Sequence, residues 1–444
     1  MSVGEEKPSL KKPSKKINII TLGCAKNQVD SEALWSQLEG NALEVTSDIS
    51  DASIAVINTC GFIEEAKKQS IDIIIETIKL KNQGKLEKVI VMGCLSERYH
   101  NDLAQELPEV DRFFGTNDVP QLINELGGNY KYELLGERAI SSPHYSAYLK
   151  ISEGCDNPCS FCAIPIMRGV HRSKPVEQIM DEVVKLTAKG VKELIVIGQD
   201  TTYYGLDLYG GRKLASLLES LASVKELEWI RLMYAYPAKF PLDVLEVFRN
   251  HPNICRYLDM PIQHASDNVL KSMRRGITRR ATESLIEAVR NAVPDIALRT
   301  TLITGYPNET ERDVEELIEF IRSVRFDRLG VFTYSQEDGT SAFELGDPIP
   351  HDEKEARRAK IMDVQKDISC ARNEARIGKT ARAVVERIED GSYVGRTMWD
   401  APEIDNEIFI TPLNDGQLSV GEFVDVRITD AAEYDLYGDV AARP

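Results

Sequence analysis

No apolar run in this 444-residue sequence approaches the ~20 residues that cross a bilayer. Its opening, MSVGEEKPSLKKPSKK, lacks the apolar centre of a signal peptide. The expected compartment is therefore cytoplasmic, with no membrane partner. Positive charge is also short: 54 Lys+Arg face 71 Asp+Glu, a net −17, which argues against broad binding to nucleic acid or anionic membrane. No internal repeat appears, and no low-complexity block beyond the first residues. With 42% hydrophobic and 28% charged residues, the chain is neither disordered nor fibrous. In a reducing compartment its eight cysteines are expected to ligate metal or pack in cores rather than pair.

The hydrophobic pattern reads as α/β. Residues 1–16 have almost nothing to bury and are expected to form a flexible tail. From 17 to 140 the strands INIITL, SIAVIN and KVIVMG alternate with helices near Ser31–Leu38 and Ile63–Lys81, the signature of a parallel sheet. From 141 to 375 come six strand candidates, AYLKIS, ELIVIG, WIRLMY, YLDMPI, ALRTTLI and RLGVFTY, as in a partial (βα)6 barrel. Thr310 and Asp313 predict a capped start for the last helix of that series. A polar helix from about Asp352 to Arg376 leads to residues 376–444, whose alternating strands ARAVVERI, EIFITPL and FVDVRIT predict a small antiparallel β-barrel.

Six cysteines carry the chemistry. GCDNPCSFC places Cys155, Cys159 and Cys162 in a CxxxCxxC loop directly after a strand. Three thiolates so close suit a cubane iron-sulfur cluster whose fourth iron stays open. A structural zinc loop is the competing reading, although zinc prefers four protein ligands. Cys24, Cys60 and Cys94 are far apart in sequence, yet each ends a predicted parallel strand, and such strand ends share one crevice. Three buried small residues are the alternative there. Cys255 and Cys370 read as core residues.

The CxxxCxxC loop at the head of a βα series resembles the radical S-adenosylmethionine (SAM) superfamily. LGCAKNQVDSE, INTCGFIEEA and GCLSER extend the resemblance to the methylthiotransferase family across 17–440. That resemblance implies an N-terminal domain, a radical SAM TIM-like barrel and a C-terminal TRAM (OB-like) domain. It further implies two [4Fe-4S] clusters, one on Cys155, Cys159 and Cys162 and one on Cys24, Cys60 and Cys94, with S-adenosyl-L-methionine as cofactor and an electron donor as partner. Phe161, Gln199, Gln263 and Arg299 are the SAM-pocket residues it points to, the last two at strand ends. Arg168, His171, Arg172 and Lys174 form a basic run after the cluster loop, read either as substrate-orienting or as solvated surface. His264 is read as packing in preference to proton transfer.

The family has a branch acting on tRNA adenosine and one acting on an aspartate β-carbon of ribosomal small-subunit protein 12. Residues 374–444 contain seven Lys+Arg against fifteen Asp+Glu, net −8, which repels RNA phosphates. Asp400, Glu403, Asp405 and Glu407 in GRTMWDAPEIDNEIFI add to this acidity. The expectation is the ribosomal-protein branch, its acidic surface meeting a basic protein.

Overall fold

A computed structural model describes residues 15–141, 143–413 and 416–441. Residues 1–14, and Asp415 and Arg443 of the C-terminal charge count, lie outside the described residues. The chain divides into two compact units between Ala139 and Ile140. No helix among the described residues is long and apolar enough to cross a membrane.

In the first unit, β1 (Lys16–Thr21), β2 (Glu44–Thr46), β3 (Ile54–Thr59), β4 (Lys88–Gly93) and β5 (Arg112–Phe113) form an all-parallel sheet ordered β2-β1-β3-β4-β5. Every residue of β3 is buried, as a parallel strand covered on both faces requires. Strand β1 begins at Lys16, which pairs with Glu44, one residue inside the span expected to be tail. Helix α1 (Ala25–Gly40) starts earlier than Ser31 because Asn27 is buried, donating through Nδ2 to Leu22 O at 2.8 Å and Thr59 O at 3.0 Å. Helix α2 (Glu64–Asn82) covers the sheet with Ile74 and Ile78, and α3 (Cys94–Arg98) follows β4 without a loop.

In the second unit, β6 (Ser146–Lys150) is followed by a two-strand ladder of β7 (Ser152–Glu153) and β8 (Arg172–Ser173). Then β9 (Glu193–Ile197), β10 (Trp229–Leu232), β11 (Ile254–Asp259), β12 (Ala297–Thr304) and β13 (Arg328–Thr333) join β6 in an open six-stranded parallel sheet, in sequence order. All six expected strands are present. The capping box predicted at Thr310 is also formed: its Oγ1 accepts from Asp313 N, and the Asp313 carboxylate accepts from Thr310 N.

Side chains alternate along these strands. Leu194, Val196, Ile230, Leu232, Leu258, Leu298 and Val331 pack in one apolar cluster with the surrounding helices. The alternate positions, Glu193, Arg231, Asp259, Arg299 and Arg328, give the opposite face an unusually charged lining.

The C-terminal strands explain that charge. β14 (Thr380–Glu389), β15 (Ser392–Thr397), β16 (Glu407–Thr411), β17 (Phe423–Ala431) and β18 (Asp435–Val440) close into a barrel ordered β14-β15-β16-β18-β17. It differs from a purely antiparallel expectation, since β16 and β18 run parallel. A closed ring with an odd number of strands cannot alternate direction throughout, so one pair must be parallel.

From this barrel, Arg396 reaches Glu193, with Nη1 2.9 Å from Oε1 and Nη2 2.5 Å from Oε2. Arg328 Nε donates to Asp400 at 2.7 Å, and Tyr257 donates to Asp405 at 2.7 Å. Trp229 meets Phe423 edge-on at 5.0 Å between centroids. Glu193, Trp229 and Arg328 each begin a strand, so the C-terminal barrel grips the amino-terminal end of the sheet, opposite the cysteine loop. Burial raises the carboxyl pKa of Glu193, but Arg396 and Arg231 outweigh it and hold the group below the ordinary range. At Asp405 burial wins and the pKa rises.

The acidic segment thus needs correction: Asp400 and Asp405 are buried partners of barrel arginines, and Glu407 is held by Arg387 at 2.6 and 2.7 Å. Of those four, Glu403 is exposed and Glu407 half-exposed. A single sequence does not distinguish a carboxylate destined for a buried arginine from a solvated one.

Candidate metal centres

Cys60 and Cys94 directly follow β3 and β4, and Cys24 lies three residues beyond β1. These strands are adjacent and parallel, so all three cysteines reach one sheet edge. Three glycines make the approach close. At Gly23 (φ +92°) a Cβ would stand 2.6 Å from Cys60 Cβ and 2.9 Å from its Sγ. At Gly61 a Cβ would meet Leu95 N at 2.8 Å and the Cys94 carbonyl carbon at 3.0 Å. At Gly93 (φ +101°) it would meet Asn58 Oδ1 at 2.5 Å and Thr59 O at 2.7 Å. Each cysteine sits beside a glycine whose missing side chain lets the next strand end come near.

The surroundings fix these loops. Cys60 N donates to Ser70 Oγ at 3.1 Å, and Asn58 Nδ2 donates to Asn27 O and to Ser31 Oγ, both at 3.0 Å. Cys94 Sγ lies 3.9 Å from Asn27 Oδ1. Cys60 and Cys94 are buried while Cys24 is exposed, leaving one side open to an incoming group.

The second trio is local in sequence but held by distant residues. Gly154 (φ +77°) admits the Val170 carbonyl where a Cβ would stand 2.1 Å from it, and Cys155 N donates to Gly169 O at 3.1 Å. Arg275 Nη1 donates to Cys159 Sγ at 3.1 Å, and Asn157 Nδ2 lies 3.5 Å from Cys155 Sγ while donating to Asp200 at 2.8 Å. Burial pushes the Cys155 thiol up to about 11 and the Cys162 thiol up to about 12. Ligation there must displace protons, as thiolate binding of metal does. No three His, Cys, Asp or Glu among the described residues converge as they would around one metal ion. The donor set in both places is three thiols flanked by N–H groups or by glycine-made space, which fits a cluster that spreads its ligands over separate irons.

Residues 149–321 match the radical SAM superfamily, 16–115 match the uncharacterized protein family UPF0004, and 377–441 match the TRAM domain. The ribosomal protein uS12 methylthiotransferase RimO of Cytophaga hutchinsonii is 51% identical over 96% of this chain and 98% of its own. The proteins of that name from Flavobacterium johnsoniae (98% and 99% covered) and Chloroherpeton thalassium (96% and 98%) are each 52% identical. The chain belongs to the RimO methylthiotransferase family.

Among solved structures, the radical SAM methyltransferase TsrM of Kitasatospora setae superposes with a TM-score of 0.55 at 14% identity, covering 74% of this chain and 77% of that one. The radical SAM enzyme OxsB does so at 0.51 and 16%, over 79% and 56%. These two establish the fold of the barrel. As a radical SAM protein, a RimO family member works with a [4Fe-4S] cluster and SAM.

Within that frame the other expected residues separate. Gln199 Nε2 donates to Glu153 at 2.6 Å while its buried Oε1 has no hydrogen-bond partner among the described residues. Gln263, at φ +74°, likewise presents a buried Oε1 without a partner among the described residues. Phe161 packs at the edge of a cluster containing Met273, Tyr306 and Tyr334. Arg299 is the third residue of β12 rather than at its end, and it pairs with Asp259 at 2.8 Å and Asp405 at 3.4 Å.

The basic run is not a solvated surface. Arg168 is buried against Glu153 at 3.2 Å, Lys174 pairs with Glu182 at 2.6 Å, and buried His171 faces Ser173 at 3.1 Å. Of the four, Arg172 is exposed. His264 packs as expected. Its Nδ1 accepts from Ser266 N at 2.9 Å, which leaves Nε2 to carry the proton toward Glu309, 3.3 Å away.

Cys255 is fully buried, whereas Cys370 is half-exposed beside Glu374 because it lies off the buried Ile361–Gln365–Ile368 stripe of its helix. Arg275 and Asn157 were not singled out from the sequence. A motif scan sees the ligands, and only the fold reveals what donates to them.

Proposed function

We propose that this protein is a cytoplasmic, two-cluster radical SAM enzyme that adds a methylthio group to the β-carbon of an aspartate in ribosomal protein uS12. The observation that carries the choice of substrate is the state of the C-terminal cations. Arg376, Lys379, Arg382, Arg387 and Arg396 are all engaged in ion pairs, leaving Arg427 as the one cation of residues 376–441 without a salt bridge among the described residues. RNA binding draws on clustered, available positive charge, and this surface does not offer it. Glu389, Asp390, Glu403, Asp425, Asp430 and Asp439 remain exposed, which suits a basic protein.

Under this reading Cys155, Cys159 and Cys162 hold the cluster that binds SAM, and Cys24, Cys60 and Cys94 hold a second one that handles sulfur. When bound, the cluster and SAM would supply radical chemistry able to take hydrogen from an unactivated carbon. The protein's own groups position and insulate. Arg275 and Asn157 offset the negative charge of the Cys159 and Cys155 sulfurs by donating to them. The free carbonyl oxygens of Gln199 and Gln263 offer acceptors to the N–H groups of SAM, and Phe161 gives an apolar face for adenine. Arg299 acts at one remove, orienting Asp259, whose Oδ2 also accepts from Tyr234 N at 3.0 Å.

The test is the intact mass of uS12 from cells with and without this gene. A methylthio-sized increment present only with the gene is expected. An unchanged uS12 accompanied by methylthiolated tRNA would overturn the assignment.

A further inference from the structure

Lys271 to Arg280 reads KSMRRGITRR, five cations in ten residues without a carboxylate, in a chain whose net charge is −17. Beside it lies an open groove of about 910 Å³ with an apolar floor including Phe240, Leu270 and Leu285 and a basic rim of Lys239, Lys271 and Arg274. Asp267 is the one carboxylate lining the groove among the described residues, and its Oδ1 accepts from Arg279 N at 2.7 Å.

The rim is built on the back of the cysteine loop. Burial alternates along it: Lys271, Arg274 and Gly276 are exposed, while Met273 and Arg275 are buried. The buried residues face the cysteines. Met273 O accepts from Ser160 N at 3.0 Å, and Arg275 Nη1 donates to Cys159 Sγ. On the groove's other wall, Tyr236 precedes the lining residue Pro237; its hydroxyl lies 3.6 Å from Cys159 Sγ and donates to Arg275 O at 2.8 Å. A single layer of residues thus separates the groove from Cys159.

We propose that this groove docks a small acidic one-electron carrier protein that reduces the cluster on Cys155, Cys159 and Cys162; the inference rests on that cluster assignment. A basic rim on an otherwise acidic molecule selects an acidic partner and speeds its encounter. The apolar floor suits a protein surface better than a phosphate backbone, and a basic ribosomal protein is repelled. With a flavin carrier, the anionic hydroquinone becomes the neutral semiquinone; one electron passes to the cluster and no proton moves.

The experiment uses anaerobically reconstituted holoenzyme with SAM and a reduced acidic FMN flavodoxin, following flavin oxidation by stopped flow and carrier binding by surface plasmon resonance, with dithionite as the small-reductant control. In the triple variant Lys239→Glu, Lys271→Glu, Arg274→Glu, flavodoxin oxidation and binding are expected to fall at least about tenfold, while dithionite-driven SAM cleavage stays unchanged. The milder pair Lys271→Gln, Arg274→Gln gives an intermediate loss. In the native protein, flavin oxidation slows as salt rises.

An unchanged flavodoxin rate in the triple variant would overturn the proposal, as would equal loss with both reductants. Loss of ribosomal-subunit binding with flavodoxin reduction intact would instead assign the groove to RNA. If native enzyme fails to cleave SAM even with dithionite, the cluster assignment itself has failed.

Discussion

The two cysteine trios reach similar ends by opposite routes. Cys155, Cys159 and Cys162 are contiguous in sequence, and remote residues tune them: Arg275 donates to Cys159, while Asn157 is braced by Asp200. Cys24, Cys60 and Cys94 are remote in sequence; adjacent parallel strands bring them to one edge, and a glycine beside each lets them come close. A loop motif specifies its ligands directly and needs the fold for its electrostatics. A strand-end trio needs the fold for its existence.

The sharpest break between the trios is functional. Cys159→Ala is expected to abolish 5'-deoxyadenosine formation under dithionite. Cys60→Ala retains it and loses sulfur insertion, so chromatographic assay of both products separates the two roles. If both variants lost both activities alike, the division of labour would be refuted.

Next in size is the glycine dependence. Gly23→Ala adds a methyl 2.6 Å from Cys60 Cβ at a φ of +92°, a position where a side chain is strained. It should cost the N-terminal cluster, about four irons per chain, and leave the loop cluster loaded. Iron analysis with electron paramagnetic resonance checks this.

A smaller and different effect isolates the second unit's scaffold. Glu193→Gln leaves buried Arg231 without its carboxylate and Arg396 with Glu386 alone, and should cost about 3–5 kcal/mol in urea unfolding, with both trios still assembling under native conditions. Because the native Glu193 pKa is depressed, its contribution is complete above the unfolded value of about 4.3 and vanishes as pH falls through the lower native value. The native protein should therefore lose stability more steeply below about pH 4.3 than the variant.

The smallest effect is Arg275→Ala. Removing one N–H···S contact should shift the potential of the loop cluster and leave the N-terminal cluster's unchanged, as redox titration would show.

Much of this architecture was legible in the sequence. Short apolar runs alternating with longer helical stretches located every parallel strand that leads to a cysteine, and the Thr310–Asp313 cap is a local event between neighbours. What escaped was set by partners remote in the chain. Asp400 and Asp405 read as surface acid but answer Arg328, Arg299 and Tyr257 across the barrel. Arg168 and Lys174 read as a basic run but answer Glu153 and Glu182. The parallel β16–β18 pair follows from the strand count of the closed ring and not from any residue within it.

Iron and sulfide analysis of anaerobically reconstituted protein, beside variants lacking each trio, tests the central claim most directly. Two separate clusters predict about eight irons per chain, falling to about four when either Cys24, Cys60 and Cys94 or Cys155, Cys159 and Cys162 are replaced by alanine. About four irons in the unaltered protein, or zinc at either trio, would contradict it.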